Sequence, residues 1–449
     1  MKNQKKKRKK LTNRKGITLI ALVITIIVLL ILAGITITAL SGDNGILTQA
    51  LRAKEETENA QAIEEEKLKE SEDYINEATG AIRGGEWDSN KKINTPALKG
   101  NMELVRYENG VWVEDETGTK YSYIAGSGKS DNNSSEWANA RVTIDGVDSY
   151  FVWIPRYEYK IDSDEHTIDV KFIPTTQTTA DEGYIIHPAF TADVNKGGWT
   201  SELSGIWVGK YETARVDASK ENGGRDTKIK VQPGVISLVG NVKINEIYKY
   251  SREYSPSLKS HMLKNSEWGA VAYLTHSQYG RNGNEVTINN SSKFITGSAG
   301  NSVDAAEDEG TTNDYTSSQG VLASSTGNVY GIYDLSGGAY EYVASYVKSG
   351  NSTMLENGNL FADGSSDEYS TAYEGTECSA NYIIGDATYE TNGWNNDGNE
   401  NYFVNYDGPF FNRGGRFGNG GRAGIFFFYR GNGDNQGTST SFRIALVIK

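Results

Sequence analysis

The end of the chain has to serve as both loop and scaffold. From Arg413 to Arg443 it reads RGGRFGNGGRAGIFFFYRGNGDNQGTSTSFR, 31 residues with nine Gly, five Phe, five Arg and three Asn, and no Lys, Glu or Pro. Average glycine usage is roughly 7%, so this bias alone reads as a low-complexity tail. The closing run Phe442-Arg443-Ile444-Ala445-Leu446-Val447-Ile448 argues otherwise, because apolar, β-branched stretches of this kind are buried strands. A last strand that belongs in a core must pull the Gly-rich stretch across the folded body. The residue types suit a binding surface: rings give contact area, Arg gives planar donors, and Gly, Ser and Asn give adaptable hydrogen bonding.

At 449 residues the chain has length for two or three domains. Residues 1–15 carry nine positive charges and no negative ones, within a net charge of −13, so the rest of the chain stands at −22. An acidic body with a basic leader argues against nucleic acid as a partner, since nothing past the leader would neutralise phosphates. With 50 Gly, 27 Tyr and only 7 Pro, the body reads as short strands joined by long loops. Cys378 is the single cysteine, which rules out an intrachain disulfide and a multi-cysteine metal site.

Ile17 to Leu40 is 24 residues without a charge. As a helix it would span about 36 Å, enough for a bilayer core of about 30 Å. The basic residues before it place the N-terminus in the cytoplasm and the body outside. The order Lys15-Gly16-Ile17-Thr18-Leu19-Ile20 resembles the prepilin-peptidase and N-methylation site of type IV pilins and pseudopilins. That resemblance implies cleavage after Gly16, a methylated Ile17, prepilin peptidase as a partner, and pilus or pseudopilus components as further ones. Ala21 stands where most mature pilins carry Glu, so a membrane-anchored monomer or a minor tip component fits better than a major subunit. The expected division is a basic leader at 1–16, a transmembrane segment at 17–41, a charged stalk helix at 42–80 and a linker at 81–96. The body then runs from 97 to 449.

In the body the strand candidates are Leu104–Tyr107, Val111–Val113, Tyr150–Ile154, Val170–Ile173 and Ile206–Gly209. The helix candidates are Lys243–Tyr254, with Ile244, Ile247 and Tyr248 on one side, and Asn265–His276, with Trp268, Val271 and Leu274. Together they define an α+β class. Trp153, Trp207 and Trp268 read as core. Ile206-Trp207-Val208-Gly209-Lys210-Tyr211-Glu212-Thr213, Trp268 to Leu274, Asn328 to Val343 and the pair Arg413-Gly414-Gly415 with Phe442-Arg443 follow in order. This succession resembles the formylglycine-generating-enzyme (sulfatase-modifying factor) superfamily, which implies a C-type-lectin-like fold.

The oxidase chemistry of that superfamily does not come with the resemblance. Its paired cysteines are missing, and His166, His187, His261 and His276 do not form the His cluster of its iron-dependent branch. Gly338 stands where the third block usually has Asn. No cofactor is expected; calcium has no specific motif, although oxygen ligands are plentiful. The pattern is more similar to the variable proteins of diversity-generating retroelements, whose terminal C-type-lectin stretch is rewritten at template adenines. In this reading residues 410–443 form the variable region. Its ligand-binding positions would be Phe411, Arg416, Phe417, Gly418, Arg422, Phe427, Tyr429, Arg430, Asn432, Asp434, Asn435, Thr438 and Ser439, alternating on one solvent-facing side of hairpin strands. Arg413, Gly415, Ala423, Ile425, Phe426, Phe442 and Ile444–Ile448 would be frame. The resemblance implies a cell-membrane protein with an extracellular body and a variable protein or glycan ligand. An oxidoreductase of the formylglycine-generating or iron-dependent type and a minor pilin are the alternatives.

Three further patterns read as decoys. Gly126-Ser127-Gly128-Lys129-Ser130 lacks the first Gly of a phosphate loop, since position 123 is Tyr123. Asn395 to Asn399 fails EF-hand spacing. His187 reads as a packed loop residue, and Cys378 has no basic neighbour in sequence to activate it.

Overall fold

The computed structural model describes residues 22–26, 54, 57, 80–126, 135–305, 312–394, 401–434 and 439–449. The chain divides into two units, Met1–Tyr74 and Ile75–Lys449. In the first, residues 22–26, Lys54 and Thr57 are helical. The cleavage site Gly16-Ile17 and nearly all of the expected membrane and stalk segments lie outside the described residues. Among the described residues no helix is long and apolar enough to cross a membrane.

The second unit is built on a seven-stranded antiparallel sheet. In chain order its strands are β1 (Met102–Glu108), β2 (Val111–Glu114), β3 (Asn139–Ile144), β4 (Val147–Pro155), β5 (Gly205–Gly209), β6 (His261–Met262) and the C-terminal strand Ile444–Leu446. In space the order is β6, the C-terminal strand, β5, β4, β3, β1, β2. The apolar runs in the sequence arise here because the central strands are covered on both faces. Val152, Ile154, Ile206, Val208, Ala445 and Val447 point into one core cluster. Their period-two neighbours Phe151, Trp153, Trp207, Ile444, Leu446 and Ile448 point into another.

Each cluster takes in one helix. Helix α1 (Ile244–Tyr254) is amphipathic: Ile244, Ile247, Tyr248 and Ser251 are buried at helical spacing, and Glu246 accepts the Lys243 backbone N–H at 2.8 Å to cap its start. Helix α2 (Asn265–His276) is buried at all twelve positions and brings Trp268, Val271, Tyr273 and Leu274 to the other cluster. Both helices match the sequence expectation to within a residue. Trp153, Trp207 and Trp268 are fully buried, as expected.

The segment expected to be a linker, 81–96, is instead part of the body. Ile82–Arg83 pairs with Leu98–Lys99, and Trp87–Asp88 pairs with Ile93–Asn94. The reason is hydrogen-bond accounting: the buried indole N–H of Trp153 donates to Asn94 O at 3.1 Å, and that of Trp207 to Ala97 O at 2.6 Å. Ile93 is 1% exposed.

A second, five-stranded sheet carries the tail. Its strands are β7 (Tyr340–Val347), β8 (Thr371–Tyr373), β9 (Phe410–Arg413), β10 (Phe428–Gly431) and β11 (Thr440–Phe442). β7 pairs with β9 antiparallel and with β8 and β11 in parallel, and β9 pairs with β10 antiparallel. The closing run is therefore two strands, β11 in this sheet and β12 (Ile444–Leu446) in the larger one.

Arg443 sits at that switch and is fully buried. Its guanidinium donates to both Glu341 carboxylate oxygens at 3.0 and 2.5 Å, to Gly209 O at 2.7 Å and to Tyr333 O at 2.9 Å. Removing one partner of a buried, bidentate pair costs roughly 3–5 kcal/mol. Arg443→Met is expected to lower unfolding free energy by that amount in urea titrations, and Arg443→Met with Glu341→Leu to recover part of it.

Candidate functional site

The tail is held by hydrogen bonds to backbone rather than by its exposed side chains. Arg413, fully buried, donates to Asp386 O at 3.1 Å, Ala387 O at 2.8 Å and Asn265 Oδ1 at 3.4 Å. Burial pushes its pKa down to about 10. The indole of Trp268 donates to Ile425 O at 2.7 Å. Gly414 and Gly415 both have positive φ, 81° and 76°. A Cβ on Gly415 would lie 2.7 Å from the Ala423 backbone, so the loop can fold back on itself only with glycine there. Gly424 N–H closes it onto Gly414 O at 3.1 Å. The expected frame residues Arg413, Gly415, Ala423, Ile425, Phe426, Phe442 and Ile444–Ile448 are all buried.

The expected ligand positions divide. Arg416, Gly418, Arg422, Tyr429, Arg430, Asn432, Asp434 and Ser439 are half-buried, at the surface. Asn435 and Thr438 lie outside the described residues. Phe411 and Phe427 are 0% and 1% exposed and Phe417 is 5% exposed, so these three do not face solvent as expected. The reason lies in cover from distant segments. The Phe411 ring meets Tyr373 at 4.8 Å and Phe403 at 5.1 Å, and Phe417 meets Phe294 edge-on at 4.9 Å. A local alternation cannot reveal a second layer supplied from elsewhere in the chain.

Phe427 supports a surface aromatic group rather than forming it. Its ring lies nearly parallel to Tyr429 (7°, 6.3 Å) and to Tyr340 (22°, 5.9 Å), and Tyr340 parallels Tyr429 at 6.1 Å. Tyr402 meets Tyr429 edge-on at 5.2 Å, and the Arg430 guanidinium lies 5.3 Å from the Tyr402 ring. This is a platform of amphipathic rings with a planar cation at its side. Tyr340 and Tyr402 were not among the expected positions. The signal for Tyr402 was the sequence Tyr402-Phe403-Val404-Asn405-Tyr406, whose tyrosines are 41% and 58% exposed around a buried Phe-Val pair.

An acidic cluster lies at the start of β7, where Glu341 is close to Glu212 and Asp334. Glu212 accepts the Ala339 N–H at 2.7 Å and the Ser237 hydroxyl. Burial, with Asp334 and Glu341 nearby, holds its carboxyl well above the usual range. A Cβ at position 338 would lie 2.3 Å from Glu212 Oε1, and Gly338 has a φ of 65°, which explains why glycine occupies this position. Among the described residues no group of three or more His, Cys, Asp or Glu is placed to hold a metal ion. His187 is buried against Tyr157, Tyr159 and Phe190, and burial pushes it down to about 3. Burial pushes the Cys378 thiol up to about 11. The segments 127–130 and 395–399 lie outside the described residues.

No family model matches the chain, and no curated protein matches it. Solved structures similar to it include Treponema denticola variable protein 1, at 10% identity and a TM-score of 0.32 over 69% of this chain and 99% of that one. Others are the Major Tropism Determinant I1 variant (10%, 0.26, over 80% and 97%) and the P3c variant (12%, 0.28, over 82% and 94%). Overlaps this loose neither fix a fold nor transfer a function.

The division between support and surface is measurable. Phe427→Ala is expected to cost about 3–5 kcal/mol of stability, as for a large core truncation, and Tyr429→Ala less than about 1.5 kcal/mol. Thermal or chemical unfolding of the two variants checks it, and equal losses would contradict the division.

Proposed function

We propose that this chain is a ligand-binding protein, not an enzyme, with a C-type-lectin-like body whose tail face is diversified by a retroelement. The observation that carries this reading is the separation within residues 410–443. Buried frame residues bind backbone carbonyls, and the residue types of a paratope occupy the surface between them. Tyr340, Tyr402, Tyr429 and Arg430 form the centre of the face. Arg416, Gly418, Arg422, Asn432, Asp434 and Ser439 belong to the same face, Asn435 and Thr438 are assigned to it from the sequence alone, and Phe427 supports it from below. The sheltered His187 and the raised thiol pKa of Cys378 favour binding over nucleophilic or acid–base chemistry.

The ligand is a protein or glycan that changes as the face changes. The leader adds a cell-surface location, with cleavage after Gly16 by a prepilin peptidase and residues 17–41 in the membrane. Calcium is not required by this reading.

Randomising positions 416, 418, 422, 429, 430, 432, 434, 435, 438 and 439 in a displayed library, then selecting against hen lysozyme, tests the face directly. Folded binders should emerge, and alanine placed at position 429 or 430 of a selected clone should weaken binding about 30-fold, as for central interface anchors. A library that is largely unfolded, or that yields no binders, would refute the reading. At the nucleotide level, a near-copy of the codons for 410–443 that differs only at adenines, beside a reverse transcriptase gene, is expected.

A further inference from the structure

A second site lies outside the tail. An open pocket of about 520 Å3 is lined by residues that include Ile161, His166, Tyr382, Tyr389, Glu390 and Trp394, with no Lys or Arg among them and none from residues 410–443. Its walls are rings. Trp394 stacks on His166 at 4.9 Å and 21°, and Tyr382 and Tyr389 lie 4.9 Å apart. Tyr389 is 47% exposed.

Glu390 contributes a carboxyl group that has no ion pair among the described residues. Its oxygens accept the Tyr159 hydroxyl at 3.0 Å, the Tyr273 hydroxyl at 3.1 Å and the Gly385 N–H. Burial, together with neighbouring Asp386, pushes its pKa above the usual carboxylate range. The pocket thus combines electron-rich ring faces with a carboxyl group, and no Lys or Arg lines it.

We propose that this pocket binds a quaternary ammonium group carried on a larger ligand. A cation suits the sign of the site, and ring faces attract it through their quadrupoles. The methylated form is favoured over a primary ammonium because three donors already occupy Glu390, leaving little acceptor capacity for N–H bonds. A quaternary ammonium needs none: it is recognised by field and ring contact. No residue of the tail face lines the pocket, so the two can fail separately.

The test titrates the full chain with tetramethylammonium and choline, and with the uncharged isostere 3,3-dimethylbutanol, by calorimetry. Saturable binding of both cations is expected, with the isostere about tenfold weaker. Tyr389→Ala and Glu390→Gln should each weaken choline binding about tenfold, and Arg430→Ala in the tail face should leave it unchanged. Tyr389 is exposed, so its variant should keep the parent melting temperature even if Glu390→Gln destabilises the fold. Absence of saturable binding, equal binding of the isostere, or unchanged affinity in Tyr389→Ala would overturn the proposal.

Discussion

The rest of the architecture depends on the guanidinium of Arg443. It lies between the last strand of the five-stranded sheet and the last strand of the seven-stranded one. Its donors reach Gly209 in the large sheet, Glu341 in the small one and Tyr333 in the chain leading to it. Taking a carboxylate and a guanidinium out of water costs several kcal/mol per ion, which only close geometry and complete hydrogen bonding offset. Burial still holds Glu341 at about 6, although Arg443 pulls it down. Such a pair contributes less to net stability than to position. With four bonds to three elements, a one-residue slip at the switch would leave a buried charge unpaired. The end of the tail is thereby pinned, and so is the register of the strand that carries Tyr340.

The same region explains the crowding of carboxyls. Glu212, Asp334 and Glu341 share a buried volume with one cation, and each carries a raised pKa with burial as the leading cause. Asp334 adopts a φ of 63°, and its carboxylate accepts Gly297 N–H at 2.9 Å and Asn289 Nδ2 at 2.8 Å. The strain of a left-handed Asp is thus offset by bonds that tie the loop at 289–297 to the block 334–341. Gly337 and Gly338 follow because backbone and carboxylate crowd in from both sides: Asn289 O would lie 2.4 Å from a Cβ on the first, and Glu212 Oε1 2.3 Å from one on the second.

How much of this could be read from the sequence varied with the reach of the forces involved. Helices α1 and α2 were legible because their apolar spacing is local. The central strands were legible because burial on both faces leaves an uninterrupted apolar run. The 81–96 segment was not, since its two-residue strands carry no periodicity and are held by indole N–H groups more than 50 residues away. The frame of the tail was legible from Arg-Gly-Gly and the closing apolar run. The exposure of its proposed ligand positions was legible only in part. Alternation correctly separates Tyr429 from Phe428, but Phe411, Phe417 and Phe427 are covered by Tyr373, Phe294 and Tyr340, whose approach no local pattern encodes.

The anchors of the tail do not depend on the side chains at its surface. Arg413 bonds to the carbonyls of Asp386 and Ala387, Trp268 to the carbonyl of Ile425, and Arg443 to those of Gly209 and Tyr333. A carbonyl acceptor is the same whatever side chain its residue bears. Substitutions at 416, 418, 422, 429 or 430 therefore leave each of these anchors intact. The glycines complete the arrangement. Gly415 lets the loop fold back against Ala423 with no side chain between them, so the path of the backbone is set by frame residues and the exposed side chains are left to vary.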